Sequence, residues 1–236
     1  MSTDTISEIK DIVKDIEPSI SILDIEGKCL YTLVLKYCPQ NCSIVEIGSW
    51  KGRSTIWLAK AAQKLQGKVY AIDPHIGIEG ISSTNSLEEF KANIERAGVA
   101  DSVLLVRRTS QEAFLSGPLI IPSRIDLVFI DGDHSYEEVD NDVWTWMYRV
   151  VGFNGVIALH DTIAYKGPRD VVSELFSKKY LTPVAVEGQI VAFIFYPSFL
   201  PFKRLFWFLY WKLYSLLFVL THTLLPASVK EIIKKW

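Results

Sequence analysis

Cysteine is scarce in this chain, with three in 236 residues. Cys29, Cys38 and Cys42 make neither a C-x-x-C pair nor a zinc-site spacing, so they read as reduced, partly buried thiols, and an odd set of three excludes a disulfide-stapled framework. Glycine (13) and proline (10) are too few for a collagenous or low-complexity chain. The N-terminus, MSTDTISEIKDIVKDIEPS, has no apolar core of about 7–15 residues. It reads as an amphipathic helix stopped at Pro18 and not as a secretory signal, which fits a cytoplasmic body. Two phosphate-binding runs are also missing, G-x-G-x-x-G and G-x-x-x-x-G-K-[ST].

What is present supports one sizeable core, since 49% of the residues are hydrophobic and 22% charged. The net charge of −2 is unevenly spread. From Pro201 to Trp236 there are six bases (Lys203, Arg204, Lys212, Lys230, Lys234, Lys235) and one acid, Glu231, while the other 200 residues carry −7. Nine aromatics fall in the same 36 residues. A basic, aromatic tail thus follows an acidic body for which no nucleic-acid partner is expected.

From residue 43 onward, short β-branched runs alternate with helix-patterned segments, which predicts an α/β fold with a doubly wound, mostly parallel, seven-stranded sheet. Strands are expected at Ser43–Ile47, Lys68–Ile72, Ser102–Val106, Asp126–Ile130, Val156–Leu159, Pro183–Val186 and Ile190–Tyr196. Helices are expected at Ser54–Leu65, Ser86–Ala97, Tyr136–Val150 and Pro168–Lys179. Gly188 predicts a tight reversal that pairs the last two strands antiparallel. The domain reading is an N-terminal helical cap over 1–40, a cofactor-binding domain over 41–198 and the tail over 199–236.

The segment SIVEIGSWKGRST passes from a buried strand through two glycines into a helix. In an open α/β sheet that strand end is where ligands bind, because helix N-terminal N–H groups point outward and glycine removes the Cβ that would block approach. A charged residue, Glu46, before the first glycine suits a ligand with a cationic part. About 20 residues on, Asp73 ends the second strand where a carboxylate can accept both hydroxyls of a ribose. An ordinary strand-to-helix turn and an aspartate starting a turn at Pro74 are the plainer alternatives.

The fourth and fifth strands deliver LVFIDGDHSY and VIALHDT, so Asp131, Asp133, His134, His160 and Asp161 should emerge at the same sheet edge as Gly48 and Asp73. Such a cluster can hold a hard divalent cation such as Mg²⁺, which lowers the pKa of a bound hydroxyl, and a neighbouring carboxylate or imidazole can then take the proton. Zinc is less favoured because no cysteine is near. Helix capping by Asp133 and Asp161 is the plainer alternative.

On these residues the chain resembles the class I S-adenosylmethionine-dependent methyltransferases, and most of all the subgroup carrying E-I-G-x-x-x-G-x-S, F-I-D-G-D-H-x-Y and H-D, which includes metal-dependent sugar and natural-product O-methyltransferases. Glu46 to Ser54, Phe129 to Tyr136 and His160-Asp161 carry the match, over roughly residues 26–196. The resemblance implies a Rossmann-like fold in which Glu46, Gly48, Ser49, Gly52 and Ser54 surround the methionine moiety of S-adenosylmethionine. It implies Asp73 at the ribose, Ser110 and Gln111 near the adenine, and Asp131 at the cofactor's edge. It further implies Mg²⁺ on Asp131 and Asp161, with His160 standing where metal-using relatives carry an oxygen ligand. Asp133 would be the base and His134 a competing one.

In the tail, Leu205 to Leu225 is interrupted by one charge, Lys212. Arg204, Lys212, Ser215, His222 and Thr223 fall within one helical stripe, the pattern of a helix lying in a membrane interface. The expectation is a peripheral anchor on the inner face of a membrane through residues 201–236, serving a small-molecule or lipid-linked glycan acceptor. Hydropathy alone also permits a true membrane span, and a homodimer contact or a core helix is the plainer use of such a patch. An NAD-dependent oxidoreductase and a non-catalytic membrane adaptor that retains the fold are the competing functions.

Overall fold

The computed structural model describes residues 3–16, 21–76, 86–150, 155–195 and 201–224. Seven strands form one sheet: β1 (Ser43–Ile47), β2 (Lys68–Ile72), β3 (Val103–Val106), β4 (Leu127–Ile130), β5 (Val156–Leu159), β6 (Leu181–Glu187) and β7 (Ile190–Phe195). Their order is β3-β2-β1-β4-β5-β7-β6, parallel except for β7, which runs antiparallel between β5 and β6. The helices are α1 (Thr3–Val13), α2 (Asp24–Tyr37), α3 (Arg53–Lys64), α4 (Leu87–Arg96), α5 (Ser110–Leu115), α6 (Tyr136–Met147), α7 (Lys166–Ser177) and α8 (Pro201–Leu224).

Strand side chains point alternately to the two faces, so each central strand serves two cores. Ile44, Phe129 and Ala158 pack with Ile9, Leu30, Trp57 and Phe90 of α1 to α4. Val45, Val128 and Ile157 pack with Ala113, Val143, Val172 and Trp211 of α5 to α8. Burying one such large apolar side chain stabilises by about 1.5–3 kcal/mol, which is why the central strands read as unbroken apolar runs. The three cysteines are free thiols, two of them buried.

The N-terminal helices are fixed by one cation. Arg53, the first residue of α3 and nearly buried, donates to the Ile22 carbonyl at 2.8 Å and to Asp24 Oδ1 at 2.7 Å, and also to the Val13 carbonyl. The expected stop at Pro18 and the strand end at Tyr196 lie outside the described residues.

Three features differ from expectation. Helix α5 was not anticipated, and it forms on a capping box in which Thr109 Oγ1 accepts from Glu112 N–H while Glu112 accepts from Thr109 N–H. Strand β6 starts at Leu181, before Pro183, with a register shift between Pro183 and Ala185, because a proline without an N–H is tolerated on an edge strand at an irregularity. In α8 the polar stripe does not face outward as a whole. Ser215 and Trp211 are buried against the body, and Arg204 donates to the Leu181 carbonyl, while Lys212 is exposed beside the Phe208 and Trp211 rings. The outward face instead carries Phe206, Leu209, Leu213, Leu216 and Leu217, each at least half exposed. Of the same stripe, the His222 and Thr223 side chains lie outside the described set.

Candidate active site

The turn after β1 brings two backbones into contact. Gly48 has φ +81°, and a Cβ there would stand 2.2 Å from the Asp131 carbonyl oxygen, so the β1 and β4 ends meet at a point where only glycine fits. The next two amides, Ser49 N–H and Trp50 N–H, both donate to Asp73 Oδ2 at 3.0 and 2.7 Å. Asp73 Oδ1 accepts from His75 N–H at 2.6 Å. The carboxylate expected at a ribose therefore also shapes the glycine loop.

Glu46 lies beneath that loop, fully buried, and accepts from Thr55 Oγ1. Burial pushes its carboxyl up to about 8, against the pull of hydrogen bonds from Ser54 and Thr55. Its Oε1, the Ser49 hydroxyl and Trp50 Nε1 are buried polar atoms with no protein partner, which is what a missing polar ligand would leave behind. Trp50, His75 and Asp161 all hold positive φ, at 40°, 52° and 56°. They are three of five such non-glycine residues among those described, the others being Asn41 and Gln66.

The second cluster is a chain of acids and imidazoles. His160 is buried; its Nδ1 lies 3.0 Å from Asp131 Oδ1 and 3.5 Å from Asp161 Oδ1, and its Nε2 lies 3.2 Å from Glu26 Oε2. Burial alone would lower its pKa, but the surrounding carboxylates raise it well above the ordinary value. Burial raises Asp131 against the attraction of His160. Burial also works to raise Asp161, yet hydrogen bonds from His134 and His160 hold it well below the usual carboxylate range. His134 Nε2 donates to Asp161 Oδ2 at 2.7 Å, a bond that lifts the imidazole's pKa, and its ring stacks on Tyr165 with centroids 3.9 Å apart. Asp133 is exposed and accepts from Ser135 N–H at 2.6 Å, which lowers its pKa.

These loops enclose a cavity of about 1030 Å³. Of the sequence-derived candidates, Gly48, Ser49, Ser54, Asp73, Ser110, Gln111, Asp131, Asp133, His134, His160 and Asp161 line it. Glu46 and Gly52 do not; Gly52 sits at the start of α3 with φ +85°, facing Phe90. Asp131, His160 and Asp161 offer ligand atoms within 4.8 Å of one another, a set able to hold a metal ion.

Sequence reasoning missed Glu26 and Asp142. Glu26 reaches from α2 to His160 and also accepts from Gln189 N–H at 2.8 Å, a contact no local pattern announces. Asp142 is a buried acid on α6 that lines the cavity. Its three-residue offset from Val139 on an apolar helix face was the available signal.

A seven-stranded sheet in this order, with a glycine loop after β1 and an acid ending β2, defines the Rossmann-like methyltransferase fold. The family described as "Methyltransferase domain" matches residues 45–162, half of the chain, and the chain belongs to it. A catechol O-methyltransferase from Mycobacterium tuberculosis is 31% identical over 62% of this chain and 59% of its own length. The chain thus spans about three fifths of the curated relatives it matches. An O-methyltransferase from Bacillus cereus, solved with SAH, superposes with a TM-score of 0.58 at 20% identity, over 82% of this chain and 92% of that one. The O-methyltransferase TomG from Streptomyces achromogenes, solved with SAM, gives 0.59 at 19% identity, over 83% and 91%.

Proposed function

We propose that this chain transfers the methyl group of S-adenosylmethionine to a hydroxyl oxygen of a small molecule, with a sugar or glycolipid as the acceptor class. The carrying observation is that one cavity joins the Gly48 loop and Asp73 to the paired His134 and Asp161. The orphaned Ser49 hydroxyl and Trp50 Nε1 fit a polar amino-acid moiety beside the loop, and Asp73 fits a ribose. When bound, S-adenosylmethionine supplies a methyl group activated by a sulfonium.

The chain's own part is placement and proton handling. His134, fixed by Asp161 and by its stack on Tyr165, is the better base, because Asp133 is turned to Ser135 N–H and held weakly basic. Neutral His134 takes the acceptor proton, and Asp161 holds the imidazolium that results. The family match favours methyl transfer over the nicotinamide alternative. Calorimetry should show S-adenosylhomocysteine binding and no NAD⁺ binding. His134→Ala should lower kcat by about 10²–10⁴. Absence of nucleoside binding in folded protein would end this reading.

A second reading, favoured by the Asp131, His160 and Asp161 set, adds Mg²⁺. There it would supply charge to a bound acceptor oxygen. Asp131, Asp161 and His160 Nδ1 would hold it, and His160 would serve as a ligand only with Nδ1 unprotonated. Activity unchanged by EDTA, together with an active Asp161→Ala, would remove the metal.

For location, we propose a peripheral seat on the inner face of a membrane. Among the described residues no helix is long and apolar enough to cross a membrane. The outward leucines of α8 and the bases Lys203, Lys212, Lys230, Lys234 and Lys235 support a helix lying on an anionic surface. The last three lysines lie outside the described residues.

A further inference from the structure

On the wall beyond Asp73, three side chains form a relay with a fixed direction. Trp146 Nε1–H donates to Ser110 Oγ at 2.8 Å, and the Ser110 hydroxyl stands near enough to the Asp142 carboxyl to draw its pKa down against burial. An indole can only donate, so the serine receives from Trp146 and keeps its single proton for the Asp142 side. Asp142 is left with free lone pairs and, when ionised, nothing to donate. It is 7% exposed, yet it lines the cavity together with Ser110 and Gly132. A Cβ on Gly132 would stand 3.9 Å from Asp142 Oδ2, so the glycine backbone leaves the carboxylate open to that side. The charges that act on it, Glu138 and Asp133, are both acidic and push its pKa up. Burial raises its carboxyl to about 6, which leaves it ionised at neutral pH.

Position says which part of a ligand meets this acceptor. Asp73 ends β2, and the next strand outward, β3, is followed by Thr109 to Gln111, also on the cavity wall. A nucleoside whose ribose lies at Asp73 and whose amino-acid arm lies along the Gly48 loop extends its base toward Ser110 and Asp142. We infer that Asp142 is a specificity residue for the base, accepting a hydrogen bond from the exocyclic 6-amino group of adenine. This rests on the S-adenosylmethionine reading of the cavity. A 6-oxo base presents an oxygen to a buried carboxylate that has no proton to give, so it is rejected.

The test is calorimetry on the full chain with S-adenosylhomocysteine and S-inosylhomocysteine, which differ at that one position in amino against oxo and in the N1 proton. The wild type should bind the inosyl compound at least about tenfold more weakly. Asp142→Asn keeps the size and, with Ser110 donating to its oxygen, turns an NH₂ toward the base. It should cut the preference to about threefold or less, or reverse it. Equal binding of both nucleosides by the wild type overturns the inference while leaving the cofactor reading intact, and needs no variant to fold. An Asp142→Asn protein that melts cooperatively but keeps full discrimination overturns it as well. Binding of neither nucleoside defeats the cofactor reading, and the inference with it.

Discussion

Glu46 illustrates how one buried carboxyl couples the glycine loop to pH. Its ordinary value of 4.5 moves to about 8 in the folded chain, chiefly through burial. Between those values the folded state holds a proton that the unfolded state has lost. The stabilisation from the protonated carboxyl is therefore complete below about 4.5 and is lost as pH rises through about 8, with a slope approaching 1.4 kcal/mol per unit. Urea unfolding should show the wild type losing stability from pH 5 to 8.5 relative to Glu46→Gln, which has no proton to lose. Parallel pH profiles for the two would show that the carboxyl ionises freely. At Gly48 the constraint is steric. Gly48→Ala forces a left-handed alanine into the Asp131 carbonyl and should cost about 2–4 kcal/mol, read as a lowered urea midpoint with unchanged m.

One side chain of helix α2 makes polar contacts to both the end of β5 and the turn between β6 and β7. Glu26 accepts from Leu23 N–H, Gln189 N–H and His160, and Gly188, at φ +57°, leaves room for it where a Cβ would stand 2.4 Å from Glu26 Oε1. Glu26→Ala leaves buried donors without an acceptor, so it should cost about 2–4 kcal/mol and speed amide exchange across α2. Glu8→Ala, which removes a long 3.8 Å pair between exposed Glu8 and half-buried Lys60, should change stability by less than about 0.5 kcal/mol. Equal effects from the two would mean that Glu26 carries no special weight. The contrast also explains what could be read from the chain. The central strands were legible because both of their faces are buried, and the rim residues because they follow those strands directly. Glu26 was not, since a glutamate in an amphipathic helix reads as solvent-facing, and its partner His160 is 134 residues away. Helix α5 was legible in principle in Thr109 and Glu112, but six residues carry too little periodicity to announce a helix.

At the scale of the whole molecule, α8 lies along the edge strand, from Arg204 at the start of β6 toward Tyr214, whose hydroxyl pKa is raised by burial and, to a smaller degree, by Glu26 and Glu187 at the rim end. Its inner face completes a core, because Trp211 is fully buried against Phe176. Cutting the chain at Tyr196 would thus expose that core and confuse folding with attachment. Outward substitutions separate the two. Leu209→Asp, Leu213→Asp and Leu217→Asp together touch only half-exposed positions, so they should leave the melting temperature within a few degrees of the wild type. They should abolish co-sedimentation with vesicles containing phosphatidylserine, where the wild type binds and is released as salt rises. If the triple variant sediments as before, the apolar face is not the anchor. If the wild type ignores vesicles but is a dimer that the variant breaks, the face pairs with a second copy. Because the helix runs toward the end of the sheet where the cavity opens, a bilayer seated on this face would bring an amphiphilic acceptor to the side of the molecule that holds His134.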